Sequence, residues 1–121
     1  MPETMLILPI KKEWFDMILS GEKKEEYREI KPCYEKRFSN YFMEENKLLV
    51  SGKKGSLNEW LLTRLKFQKP VMFRNGYSSK SPSFIADCEL HIGTGRPEWG
   101  AEPKKQYYVL HIKHIHLMSE E

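Results

Sequence analysis

Apolar residues recur along this chain with two different periods, and each change of period marks the border of an element. Met5 to Leu8 is a short apolar run, which Pro9 and Ile10 turn into a segment of different repeat. There Trp14, Phe15, Ile18 and Leu19 fall at i, i+1, i+4 and i+5, with Lys11, Lys12, Glu13 and Asp16 on the other side. That spacing predicts a helix with one apolar stripe. Gly21 closes it, because a left-handed residue at a helix end costs glycine nothing sterically. The period then drops to two. Lys24, Glu26, Arg28 and Ile30 alternate with Glu25, Tyr27 and Glu29, the repeat of a strand.

Pro32 suits the first turn of a second helix, in which Tyr34, Phe38, Tyr41 and Phe42 recur at helical spacing to about Glu45. Ser51-Gly52-Lys53-Lys54-Gly55 is a basic loop. Ser56 with Glu59 has the form of a capping box, and Leu57, Trp60, Leu61 and Leu65 supply the buried side of a third helix. Val71-Met72-Phe73 is an apolar strand that ends at the turn signal Asn75-Gly76. Ser78 to Ser83 is a polar loop. From Phe84 to Ile92 the alternation is the most regular in the chain: Phe84, Ala86, Cys88, Leu90 and Ile92 on one face, Ile85, Asp87, Glu89 and His91 on the other. Gly93 to Lys105, with Trp99 in its middle, is a loop of the length that often carries function. Tyr107 to Leu117 closes the chain as a strand. Strand, helix, strand, two helices and then several strands do not alternate as a parallel α/β sheet does. The order predicts an α+β domain whose mostly antiparallel sheet curls, with two or three helices packed outside it.

A chain of 121 residues makes one domain, 1–121, large enough for a single core. Twenty basic against 17 acidic residues give a formal charge of +3, too mild to signal a nucleic-acid partner unless the cations cluster on one face. Lys53, Lys54, Lys66, Lys69, Lys80, Lys104 and Lys105 would steer a polyanion if the fold gathered them, and are solubility charges if it does not. Cys33 and Cys88 have no metal-knuckle spacing, and no secretory apolar region opens the chain, so reduced thiols in a cytoplasmic protein are expected. No apolar run approaches the ~20 residues of a membrane span, and no membrane partner is expected.

The chemistry concentrates between the first helix and the strand after it. That strand places Glu26 and Arg28 on one face with Lys23 at the turn above, where a strand beside a core usually carries Val, Ile or Leu. Either the strand is a solvated edge with weak ion pairs, or this face lines a polar cleft. In a cleft, Lys23 and Arg28 would bind an anion or carbonyl oxygen and Glu26 a proton or base amine. A lysine pressed into a partly dry site has a lowered pKa and can act as base or nucleophile. Trp99, flanked by Arg96 and Glu98, either stacks on a base or forms an apolar lid. Arg74 and Asn75, at a strand end, either face the cleft or only lead into the turn Asn75-Gly76. Among the histidines, strand alternation puts His114 and His116 on one face and His111 on the other, so zinc would lack a third ligand; no metal and no cofactor are expected.

Gly21, Lys23, Glu26 and Arg28 occupy the four defined positions of GxKxxExR, and the chain resembles the ASCH family, whose fold is similar to that of PUA domains. Leu6-Ile7-Leu8-Pro9-Ile10 before a helix, and Phe73-Arg74-Asn75-Gly76-Tyr77 before a long alternating strand, extend the resemblance from about Met5 to Leu117. It implies a PUA-like, partly open β-barrel whose motif lines a cleft for RNA or a nucleotide, with Gly21, Lys23, Glu26, Arg28, Arg74, Tyr77 and Trp99 as binding residues. Some small members are amidohydrolases acting on acylated cytidine, and others are described as ribonucleases. The resemblance then implies a catalytic Lys23, with Glu26 where the amidohydrolases carry a threonine, and with Glu98 or Glu102 as a later glutamate. Binding module and enzyme both remain open. If the cleft is catalytic, Lys23→Ala is expected to abolish turnover without lowering the melting temperature.

Overall fold

The computed structural model describes residues 5–42 and 68–116, so the expected third helix and the basic loop before it lie outside the described residues. The described elements are β1 (Leu6–Pro9), α1 (Lys12–Ser20), β2 (Glu25–Glu29), α2 (Pro32–Phe42), β3 (Gln68–Arg74), β4 (Ser83–Thr94), a 3-10 turn (Pro97–Trp99) and β5 (Gln106–His116). Among them, no helix is long and apolar enough to cross a membrane.

Gly21 ends α1 as its position demands. Its φ of 88° is left-handed, its N–H donates to Ile18 O at 3.0 Å, and the Lys23 N–H donates to Met17 O at 2.9 Å. These bonds fix the exit of the helix and therefore the start of β2. The five strands form one sheet in the order β1-β3-β4-β5-β2, with β1 and β3 parallel and every other pair antiparallel. The fold is α+β, and the sheet curls into a half-barrel whose two edge strands are β1 and β2.

The inner face of the curl holds the core: Leu8 from β1, Val71 and Phe73 from β3, Phe84, Ala86, Cys88 and Leu90 from β4, Tyr108 and Leu110 from β5. Helix α1 packs Phe15 and Ile18 onto it, and α2 packs Phe38, Tyr41 and Phe42. Each large side chain removed from water contributes roughly 1.5–3 kcal/mol before the entropy of ordering it is subtracted. Edge-on ring contacts fix the helices in place, Phe15 on Phe84 at 5.1 Å and Phe38 on Tyr108 at 5.3 Å.

Two departures from the expected pattern concern β4 and β5. Strand β4 continues to Thr94, and the remainder of the expected loop holds the turn Pro97–Trp99, closed by Gly100 at φ 105°. Between β4 and β5 the register slips: Asp87 faces His114 but Cys88 faces Ile112, which leaves Lys113 as an extra residue. The bulge reverses the alternation beyond it. His111, His114 and His116, opposite Glu89, Asp87 and Ile85, therefore share one face of the sheet, against the expectation that His111 points away. Carboxylates stand beside three of the four histidines: Glu89 3.0 Å from His91, Glu25 3.8 Å from His111 and Asp87 3.0 Å from His116. Neighbouring strands supply the partners of His111 and His116, which linear spacing did not show, whereas Glu89 and His91 lie two apart on β4.

Candidate functional site

Strand β2 pairs with β5 in a register that sets Glu26 beside Leu110 and Arg28 beside Tyr108, so both charged side chains point inward with the core. Glu26 is 7% exposed and Lys23 only 1%. Burying such groups is unfavourable unless every charge is paired and hydrogen-bonded. Each is. The Lys23 ammonium donates to Trp99 O at 2.7 Å and lies 3.3 Å from Glu26 Oε1. Its remaining surface faces the Trp14 and Tyr27 rings, whose centroids are 5.0 and 4.9 Å away. Arg28 clasps Glu26 Oε2 through Nε at 3.1 Å and Nη2 at 2.8 Å. Nη2 also donates to Pro9 O at 2.8 Å, and Nη1 to the Tyr34 hydroxyl at 3.2 Å.

Lys23, Glu26 and Arg28 thus form one buried cation–anion–cation row. Burial pushes the Lys23 pKa below its ordinary 10.5, against the pull of the Glu26 carboxylate, which raises it. The Tyr27 phenol is pushed up by burial; its hydroxyl donates to Glu25 at 2.8 Å and accepts the Arg96 N–H at 2.9 Å.

Glu26 and Arg28 open onto a hollow of about 580 Å³. Trp14, Tyr27, Tyr34 and Tyr107 give it aromatic walls, and Tyr77, 88% exposed, stands at its rim with Asn75 and Gly76. Lys11, Glu29 and Lys31 complete the mouth. A planar ring fits such walls, and a carboxylate beside a guanidinium gives its edge an acceptor and donors.

The remaining expected site residues are placed elsewhere. Lys23 lines a separate hollow of about 220 Å³ together with Gly21 and Lys24, and its ammonium reaches the row from behind. Its wrapping also changes the expectation for Lys23→Ala: removing a buried, paired charge lowers the melting temperature. Trp99 is half-buried and does not line the larger hollow; its carbonyl holds Lys23 while its ring meets the Arg96 guanidinium at 4.8 Å. Arg74 follows Phe73 on β3, so alternation turns it to the outer side beside Met72, and its Nε is buried without a hydrogen bond. Glu98 pairs with Arg96 at 3.1 Å and Glu102 lies 3.8 Å from Lys105, both exposed and neither in the lining.

Sequence reasoning missed the aromatic walls. Trp14 and Tyr34 read as members of core stripes, and both do pack against the core while their other sides face the hollow. Tyr27 read only as alternating with Glu26 and Arg28, and Tyr107 only as the start of the closing strand. They pack together at 5.6 Å as diagonal neighbours on the paired strands β2 and β5, with the loop residue Ala101 in the same cluster. Among the described residues, no group of three or more His, Cys, Asp or Glu side chains is arranged to hold a metal ion. No family model matches the chain, and no curated protein or solved structure matches it either.

Proposed function

We propose that this protein is a binding module of the ASCH type, with a PUA-like half-barrel, that takes a base of RNA or of a nucleotide into the hollow over Glu26 and Arg28. The observation that carries this reading is the pairing of a buried carboxylate–guanidinium floor with aromatic walls. Bases bind proteins by stacking on aromatic rings and by hydrogen bonds along their edges. The Glu26 carboxylate accepts from a base amine, while Arg28 and the Tyr34 hydroxyl supply donors to ring nitrogen or carbonyl oxygen. The GxKxxExR motif supports the same reading: Glu26 and Arg28 form the floor, Lys23 positions Glu26, and Gly21 positions Lys23. Free thiols at Cys33 and Cys88 suit a reducing compartment, and we place the activity in the cytoplasm.

Hydrolysis in the same hollow is a second reading, favoured by the lowered pKa of Lys23. A lysine so activated must reach its substrate, and here the amine is enclosed by two rings, a carbonyl and a carboxylate. Binding without turnover therefore fits the geometry better. Titration with nucleosides, nucleotides and short RNAs, with product analysis of the same mixtures, separates the two. Saturable binding without product is the expected result. Product formation by the wild type that is lost in Lys23→Arg would establish the hydrolase instead, and absence of any binding would remove both readings.

A further inference from the structure

The mouth of the hollow carries positive charge that its floor does not use. Both carboxylates in the lining are already held by two cations: Glu26 by Lys23 and Arg28, Glu29 by Lys31 at 3.4 Å and Lys105 at 3.0 Å. Lys11, exposed at the entrance where α1 begins, makes no ion pair among the described residues. Three cations of the lining, Lys11, Arg28 and Lys31, thus stand against two carboxylates, Glu26 and Glu29. Arg28 is committed to the floor by four contacts, and Lys31, half exposed, shares its one carboxylate partner among the described residues with another lysine. The charge available to a ligand therefore lies at the entrance, outside the aromatic walls. An uncharged ring compound would fill the walls and leave this charge unmatched.

We infer that the ligand of this hollow is phosphorylated, and that Lys11 and Lys31 hold its phosphate while its ring lies over Glu26 and Arg28. This rests on the base-binding reading above, which takes a base of RNA or of a nucleotide, and adds to it the two side chains that hold the phosphate. Two ammonium groups on flexible stems suit a tetrahedral oxyanion, which needs point charges more than a planar fork. The same oxyanion chemistry is offered by the terminal phosphate of a mononucleotide and by a phosphodiester of an RNA strand.

Calorimetric titration with the ribonucleosides, their 5′- and 3′-monophosphates and trinucleotides without a terminal phosphate, repeated at low and high salt, tests the inference. At low salt a phosphate-bearing probe is expected to bind at least about tenfold more tightly than the nucleoside of the same base, and the ratio is expected to shrink as salt is added. In the double variant K11A/K31A the ratio falls toward one. Both side chains are exposed, so the fold is retained, and the salt series on the wild type gives an independent readout. Tighter binding of trinucleotides than of mononucleotides assigns the phosphate to an RNA backbone, and the reverse assigns it to a nucleotide terminus. Equal affinities for nucleoside and phosphorylated forms, or a preference that survives K11A/K31A, overturn the inference and leave base binding standing. No binding by any probe removes the base-binding reading, and this inference falls with it.

Discussion

The Lys23 ammonium makes four contacts, a hydrogen bond, an ion pair and two ring contacts. Lys23→Ala leaves the Trp99 carbonyl and one oxygen of Glu26 without their partner and opens a void between two aromatic rings. Breaking a buried charged pair in this way costs about 3–5 kcal/mol, so the variant is expected to unfold at markedly lower denaturant than the wild type. A midpoint unchanged within error would show that the row contributes nothing to the fold. Tyr77 is the opposite case. It lies in the lining, yet with 88% of its surface in water its truncation leaves the core untouched. Tyr77→Ala is expected to retain the wild-type melting temperature and to weaken base binding roughly tenfold, the usual worth of one stacking contact. Undiminished affinity would remove Tyr77 from the site.

His111 adds a pH dependence with a defined sign. Its pKa is lowered from 6.5, first by burial and then by Lys113, with Glu25 pulling the other way. A group whose folded pKa is depressed binds fewer protons folded than unfolded between the two values. Stability therefore rises with pH through that window, and falls as pH drops from 6.5 through the folded value. His111→Gln cannot titrate and is expected to flatten this part of the stability profile. An identical slope in the variant would assign the acid sensitivity to other groups.

At the scale of elements, the segment between β4 and β5 holds the site together without lining it. Its Trp99 carbonyl fixes Lys23, its Arg96 N–H caps the Tyr27 hydroxyl, and its Glu102 N–H donates to the Tyr107 hydroxyl at 2.9 Å. Gly95 makes this approach possible. A Cβ there would stand 2.5 Å from the Tyr27 ring and 2.8 Å from the Ala101 Cβ, so something must shift. Gly95→Ala is expected to destabilise by about 1–3 kcal/mol and to weaken ligand binding, because Tyr27 is also a wall of the hollow. Gly93→Ala, with nothing within 4 Å of its Cβ, is the matched control and should change little. Equal effects of the two would show that the close approach is not what holds the segment.

The sequence made the elements legible where one rule governed each position: the apolar stripe of α1, the left-handed Gly21, the alternation of β2. It failed where a second element set the outcome. The bulge at Lys113 depends on how β4 and β5 pair, and it moved His111 to the face of His114 and His116. Trp99 is a plausible stacking residue in isolation, and only the fold of its segment shows that its carbonyl is the part that acts on Lys23. The pairing of Glu26 and Arg28 followed from their spacing, whereas the aromatic walls come from four different elements and had no linear signature.

Over the whole molecule, the half-barrel has a seam between its edge strands, and Arg28 spans it. One guanidinium joins Glu26 of β2 to the Pro9 carbonyl of β1 and to Tyr34 of α2, while Arg37 caps the Ile7 carbonyl on the same edge strand at 2.8 Å. Arginine side chains thus occupy carbonyls that would otherwise offer β1 to a foreign strand. A lysine has neither the fork nor the reach for these partners at once. The residue that floors the hollow is therefore also the one that joins the two edges, which couples the floor to the seam.

That coupling makes the Arg28 side chain the most direct reporter of the central claim. Its Nε–H resonance and the ring signals of Tyr27, Tyr34 and Tyr77 are to be followed by NMR while mononucleotides and short RNAs are titrated into the protein. Base binding over Glu26 and Arg28 predicts that these signals move together and saturate with a single affinity. Signals that stay fixed through millimolar ligand, or shifts confined to the histidine-bearing outer face of β4 and β5, would contradict it.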